Sequence, residues 1–142
     1  MLNEKKVATM SDIADMQKAR LLHESIIKTN PRHAAGWIGA SRLEELDGQL
    51  KKARKIVKKG LSFCADSEDL WLEAARLQTH DETKQILIKA VQTIPKSVKL
   101  WLAAKSAEHE RDKQIQILKR ALQFIPDSIK LWKELIELES EE

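Results

Sequence analysis

The stretch Ser67-Glu68-Asp69-Leu70-Trp71-Leu72-Glu73-Ala74-Ala75-Arg76-Leu77 decides how this chain is read. Ser67 stands where an N-cap stands, and its hydroxyl suits the orphan N–H groups of a first helical turn. Trp71, Ala74 and Leu77 follow at offsets of 0, 3 and 6, which keeps them near one helical face. The stretch is an amphipathic helix, and it recurs. Tryptophans stand at positions 37, 71, 101 and 132, at intervals of 34, 30 and 31 residues. That interval is the length of one helix–turn–helix unit. Six residues before three of them lies a proline (Pro31, Pro95 and Pro126), and Ala65 fills the slot before Trp71.

Anchored on that slot, the columns align without gaps. Two residues on stand His33, Ser67, Ser97 and Ser128, three of them good N-caps. The proline ends one unit because it cannot continue the preceding helix. From each tryptophan the apolar stripe continues as Ala40 and Leu43, Ala74 and Leu77, Ala104 and Ala107, and Leu135 and Leu138. Glu44, Gln78, Glu108 and Glu139 border it and read as its solvent-side edge. The second helix of each unit presents Leu22, Ile26 and Ile27; Ile56, Gly60 and Leu61; Ile86, Ala90 and Val91; and Ile117, Ala121 and Leu122. The middle member is small in three sets, so a tryptophan can pack over the gap. Ile26 breaks that rule, and the first unit is expected to pack differently. The 34-residue interval is assigned to a longer turn at Asp47-Gly48.

These columns predict an all-α, right-handed α-solenoid of antiparallel helix pairs, with three full repeats and two half repeats. Residues 1–10 are expected to be a disordered N-terminus. Residues 11–142 form a single solenoid with boundaries near 31, 65, 95 and 126. Its first and last helices are expected to expose the apolar sides that a hairpin partner would cover. The four tryptophans are expected to be core anchors, each burying about 150–250 Å².

Composition agrees. Of 142 residues, 33% are charged and 42% hydrophobic, with four Gly, three Pro and no Tyr, a balance rich in helix formers. No stretch reaches the roughly 18 apolar residues of a membrane span. The start, Met1-Leu2-Asn3-Glu4-Lys5-Lys6, is not that of a signal peptide. The lone Cys64 fits a reducing compartment and is expected to be buried. The net charge of +3 permits a nucleic-acid partner without arguing for one.

The pattern Trp-x-x-Ala-x-x-Leu-Glu, then Ala-Arg-x-Ile, then a small residue and a proline, resembles the half-a-tetratricopeptide (HAT) repeat from about Asp12 to Glu139. The runs Lys18-Ala19-Arg20-Leu21-Leu22, Thr29-Asn30-Pro31, Arg42-Leu43-Glu44-Glu45 and Ser67 to Leu77 are similar to the splicing members of that family. The resemblance implies a nuclear, non-enzymatic scaffold that binds splicing proteins of the small nuclear ribonucleoproteins and helps bridge the tri-snRNP. A scaffold of ribosomal RNA maturation or mRNA 3′-end formation is the alternative within the family. Ala65, Thr83 and Gln114 depart from its pattern, the last two where Ala is expected. Family members carry more chain on both sides, so the sequence is expected to be a fragment or a reduced gene product.

The most pointed charge feature is Lys51-Lys52-Ala53-Arg54-Lys55-Ile56-Val57-Lys58-Lys59, six basic residues in nine with no acid. Ala53, Ile56, Val57 and Gly60 supply its buried face. Lys51, Lys52, Arg54, Lys55, Lys58 and Lys59 then form a surface for RNA phosphates or an acidic protein, or a plain solvated face. The acidic residues Glu134, Glu137, Glu139, Glu141 and Glu142 gather at the other end.

No cofactor, metal or small-molecule substrate is expected. His109 lies between two glutamates that point elsewhere on a helix, His80 sits in a turn, and His23 reads as a satisfied packing residue. No His-x-x-x-His or paired cysteine suggests a metal. Gly36-Trp37-Ile38-Gly39 falls inside a helix, not in a phosphate loop.

Overall fold

The computed structural model describes residues 10–140. Within them the chain forms eight helices: α1 (Met10–Thr29), α2 (Ala34–Leu46), α3 (Leu50–Phe63), α4 (Glu68–Arg76), α5 (His80–Thr93), α6 (Val98–Ser106), α7 (Arg111–Phe124) and α8 (Ile129–Ser140). Met10 opens α1; the rest of the 1–10 segment lies outside the described residues. Consecutive helices pack antiparallel in pairs. Beyond the pairs, the backbones of α2, α4, α6 and α8 also approach in series, whereas those of α1, α3, α5 and α7 do not approach one another. The array therefore has an inner layer of α2, α4, α6 and α8, and an outer layer of splayed helices.

The serines cap as their positions predict. Ser67, Ser97 and Ser128 accept hydrogen bonds from the N–H groups of Leu70, Leu100 and Leu131 at 3.2, 3.1 and 3.3 Å. His33 caps without a side-chain bond.

Each tryptophan ties down its turn. Its indole N–H donates to the backbone carbonyl six residues earlier: Pro31 at 2.7 Å, Ala65 at 2.8 Å, Pro95 at 2.7 Å and Pro126 at 2.8 Å. The carbonyl at that slot is what every unit uses, which is why Ala65 serves as well as a proline. The rings of Trp37, Trp71 and Trp101 meanwhile pack on the following outer helix. A methyl group added to Gly60 would lie 2.7 Å from Trp37 Cγ, so only glycine lets this ring so close. Ala90 and Ala121, both fully buried, share the cluster of Trp71 and Trp101. Trp37, Trp71 and Trp101 are 3%, 6% and 3% exposed.

Trp132 differs from the expectation of a fourth core anchor: it is 46% exposed. It makes the same N–H bond to its turn, but no described outer helix follows α8 to cover the ring. Ile129 and Ile136 on α8, and Leu21 and Leu22 on α1, are exposed likewise.

The first pair packs in reverse sense, as Ile26 requires. Here the small residues are on the inner helix. A Cβ at Gly36 would meet Ile26 Cγ2 at 3.1 Å, and one at Gly39 would meet the His23 ring at 2.8 Å. His23 occupies the column of Val57, Leu87 and Leu118, all of them buried. It is not the satisfied packing residue expected, because its buried Nδ1 has no hydrogen-bond partner.

Two further readings are corrected. The extra residues of the 34-residue interval lie in helix, not turn: α2 has 13 residues where α4 and α6 have nine. Gly48, at φ +75°, ends it in the left-handed region. Glu44 is not a solvent-side edge. It is buried and bonded to Arg20 Nε at 2.7 Å, and Arg20 also holds Asp47, so α1 clamps the added turn.

Thr83 and Gln114 explain their departure from alanine. Thr83 Oγ1 donates to the carbonyls of Ala75 and Thr79, both at 2.9 Å, and Gln114 Nε2 to that of Glu108 at 2.7 Å. Thr83 thereby ties the start of α5 to the end of α4, and Gln114, which also reaches the Lys105 carbonyl at 3.4 Å, ties the start of α7 to the end of α6.

Along the inner layer, Glu73 is 5% exposed and joins α2 to α4. Arg76 Nη2 reaches its Oε1 at 2.6 Å, Arg42 Nε reaches the same atom at 3.2 Å, and Arg76 also holds Glu45 at 2.7 Å. Burial alone would raise the Glu73 pKa, but the hydrogen bonds from Arg76 and Arg42 outweigh it and hold it below the ordinary value.

Truncating Trp71 or Trp101 to Ala should cost about 3–5 kcal/mol, whereas Trp132→Ala should cost about 1 kcal/mol, read from urea midpoints. Equal losses at all three would refute the burial order. Ala65→Pro should stabilise by about 0.4–1 kcal/mol. Cys64 has φ −127° and ψ 51°, close to Ile94 and Ile125 before the natural prolines. A lowered midpoint would count against it. Because the folded Glu73 pKa is depressed, its stabilisation is complete above about pH 4.5 and is lost as pH falls through the folded pKa. Glu73→Gln should therefore flatten the acid limb of a melting-temperature profile between about pH 5 and 3, and an unchanged limb would exclude this role.

Candidate partner-binding surface

The basic run lies on the outer layer, along α3. Lys51, Lys52, Lys55, Lys58 and Lys59 are exposed and form no ion pair among the described residues. Ala53, Val57 and Gly60 point into the core, as the pattern requires, and Ile56 is half-buried. Arg54 separates from the others: half-buried, its Nε donates to the Leu77 carbonyl at 2.8 Å and closes the end of α4. It belongs to the scaffold more than to the surface.

Charge is unevenly spread among the helices, which the net charge of +3 conceals. On the outer side α3 has six basic residues and no acid, and α7 has four against one. On the inner side α2, α4 and α8 are each net acidic, while α6 carries two lysines and no acid; outer α1 and α5 are balanced. The signal was present in the sequence, but only when charges are counted by half-unit.

Because the outer helices splay, they leave open grooves between them. One, of about 800 Å³, runs between α3 and α5 over Val57, Leu61, Trp71 and Ile86, with Lys55, Lys58 and Lys89 on its rims. The other, of about 860 Å³, runs between α5 and α7 over Val91, Trp101 and Ile117, with Lys119 and Arg120 on its rim. Two phenylalanines missed by the column reading belong to this face. Phe63 stacks on Trp37 (centroids 5.6 Å, 13°) and Phe124 on Trp101 (5.8 Å, 24°), and they are 44% and 43% exposed.

The acidic end is partly neutralised. Glu134 pairs with Lys105 at 3.1 Å and Glu139 with Lys119 at 3.5 Å, while Glu141 and Glu142 lie outside the described residues.

Of the reactive side chains, Cys64 is buried and its thiol donates to the Pro31 carbonyl at 3.4 Å, the acceptor also used by Trp37. Burial pushes its pKa up, the opposite of an activated nucleophile. His80 opens α5 rather than sitting in a turn, and His109 lies between α6 and α7 rather than on a helix; the two rings stack at 4.6 Å. Glu108 does not lie beside them as a free carboxylate: Lys84 holds it at 3.2 Å and, through that hydrogen bond, keeps its pKa low. No three His, Cys, Asp or Glu side chains converge as a metal site among the described residues. No helix there is long and apolar enough to cross a membrane.

The chain matches no family profile. It is 46% identical over 109 residues to pre-mRNA-splicing factor prp1 of Schizosaccharomyces pombe, covering 77% of this chain and 12% of that protein. It is 47% identical over 97 residues to human pre-mRNA-processing factor 6, covering 68% and 10%. Protein STABILIZED1 of Arabidopsis thaliana is 43% identical over 109 residues, covering 77% and 11%. The chain thus spans about a tenth of the length of these relatives. Among solved structures, crystalline MamA superposes with a TM-score of 0.54 over 93% of this chain and 84% of its own, at 13% identity, a likeness of fold alone. Over the matched stretch, the chain is homologous to the HAT-repeat pre-mRNA splicing factors.

Proposed function

We propose that this chain is a non-enzymatic scaffold segment of a nuclear pre-mRNA splicing factor, which holds splicing proteins and helps assemble or bridge the tri-snRNP. The observation that carries the reading is the 46% identity to prp1 over 77% of the chain. The kinship favours splicing over ribosomal RNA maturation or mRNA 3′-end formation. A stack of helix pairs suits the role, because each added pair extends a surface without needing a pocket. We further read the array as a right-handed superhelix, a single domain over 11–142. It would have three full repeats and two half repeats that meet near 31, 65, 95 and 126. Trp37, Trp71, Trp101 and Trp132, with Pro31, Pro95 and Pro126, serve as its repeat anchors. Partners are proteins first. RNA contact is secondary and would use the five unpaired lysines of α3, with Arg54 occupied elsewhere.

Affinity purification from nuclear extract separates these readings. Recovery of tri-snRNP proteins that survives nuclease treatment is expected. Loss on nuclease treatment would move the function to RNA, and in that case Lys51→Gln, Lys55→Gln and Lys59→Gln together should weaken RNA binding and flatten its salt dependence.

A further inference from the structure

We propose that the outer layer carries a repeated docking groove for an acidic, amphipathic helical segment of a partner protein. The inference rests on the scaffold reading and adds the place and chemistry of the contact. The α3–α5 groove has an apolar floor of Val57, Leu61 and Ile86 beside the edge of Trp71. Its rims carry Lys55, Lys58 and Lys89, all exposed and without ion-pair partners among the described residues, against a single acid, Glu82. The α5–α7 groove repeats this one unit on, with Ile88 and Phe124 exposed at its lips and Arg120 unpaired on its rim. Apolar floor and basic rim together select one occupant. A helix with apolar side chains at i, i+3, i+4 and i+7 lays them along such a trough, and its flanking Asp and Glu meet the lysines.

RNA fits the same face less well. Phosphates need the lysines but make no use of an apolar floor, and stacked bases need an open aromatic ring. The ring in the α3–α5 groove, Trp71, is 6% exposed. In the protein-binding case the buried anchors set the dissociation rate, while the lysines speed encounter and make it salt-sensitive.

Fluorescence anisotropy with the full chain tests this. The probe is a labelled peptide of 14 residues, the length of α5, with Leu at the four anchor positions and Glu around them. It should bind, and replacing its leucines with Ser should weaken binding at least about tenfold. Lys58→Glu with Lys89→Glu should weaken it by a similar factor. Gln85→Trp, at an exposed lining position, plugs the groove without changing charge and should also weaken it several-fold. Circular dichroism verifies that each variant keeps its helices. No binding of the leucine peptide, equal binding of the serine peptide, indifference to Gln85→Trp, or displacement by polyuridine at lower concentration than by unlabelled peptide would each overturn the proposal. If splicing proteins are still captured from extract in any of those cases, the scaffold reading stands and this groove alone falls.

Discussion

The structure depends on where one indole N–H goes. A tryptophan buried at the start of an inner helix must find an acceptor for that proton, because a buried donor left unpaired costs about 1–3 kcal/mol. In all four units the acceptor is the carbonyl of the turn that leads into the helix. In the three units with a described outer helix to follow, the ring lies on that helix. There the chain must be nearly bare: Gly60 meets Trp37 closer than any side chain allows, and Ala90 and Ala121 are fully buried beside Trp71 and Trp101. One side chain thus ties a turn, an inner helix and an outer helix together. Its neighbour in sequence completes the core, since Leu70, Leu100 and Leu131 are fully buried.

That constraint sets the shape of the surface. Inner helices whose faces are small and apolar approach one another, and bonds such as those from Arg42 to Glu73 and from Arg76 to Glu45 join them across units. Of the outer helices, α3, α5 and α7 are each held from below by one indole, and among the described residues no such bonds join the outer helices sideways. They diverge, and grooves open between them above the indoles. The grooves therefore follow from the same packing that holds the core.

Much of this was legible because the repeat compares the chain with itself. The tryptophan column, the Ser67, Ser97 and Ser128 caps and the small-residue column each required only alignment of one unit on another. What escaped the columns depended on a partner in space. Trp132 has the sequence of an anchor, but burial needs a helix to follow it. His23 sits among apolar neighbours in sequence, and the missing acceptor for its Nδ1 shows only in the packed pair. Glu44 looked like an edge because nothing in its own helix marks Arg20 as its partner. The added residues of α2 read as a turn because Asp47-Gly48 is a turn signal. The helix formers before it, once held by Arg20, extend the helix up to that signal instead.

Charge is the remaining case, and it bears on function. A net +3 suggests nothing. Divided by helix, the same residues give two basic outer helices, α3 and α7, and inner helices whose acids are mostly consumed in holding neighbours. Glu73, Glu44 and Glu108 each lie against an arginine or lysine of another helix, so their charge is spent within the fold. The lysines of α3 have no such partner among the described residues and leave their field in solvent. Repulsion among five lysines on one helix opposes folding, and the apolar face of that helix offsets it by packing against α2 and α4. A segment that places carboxylates along those rims relieves the repulsion, and its apolar side chains cover the groove floor. Both gains require the outer helices to stay apart, a separation that the buried indoles already impose.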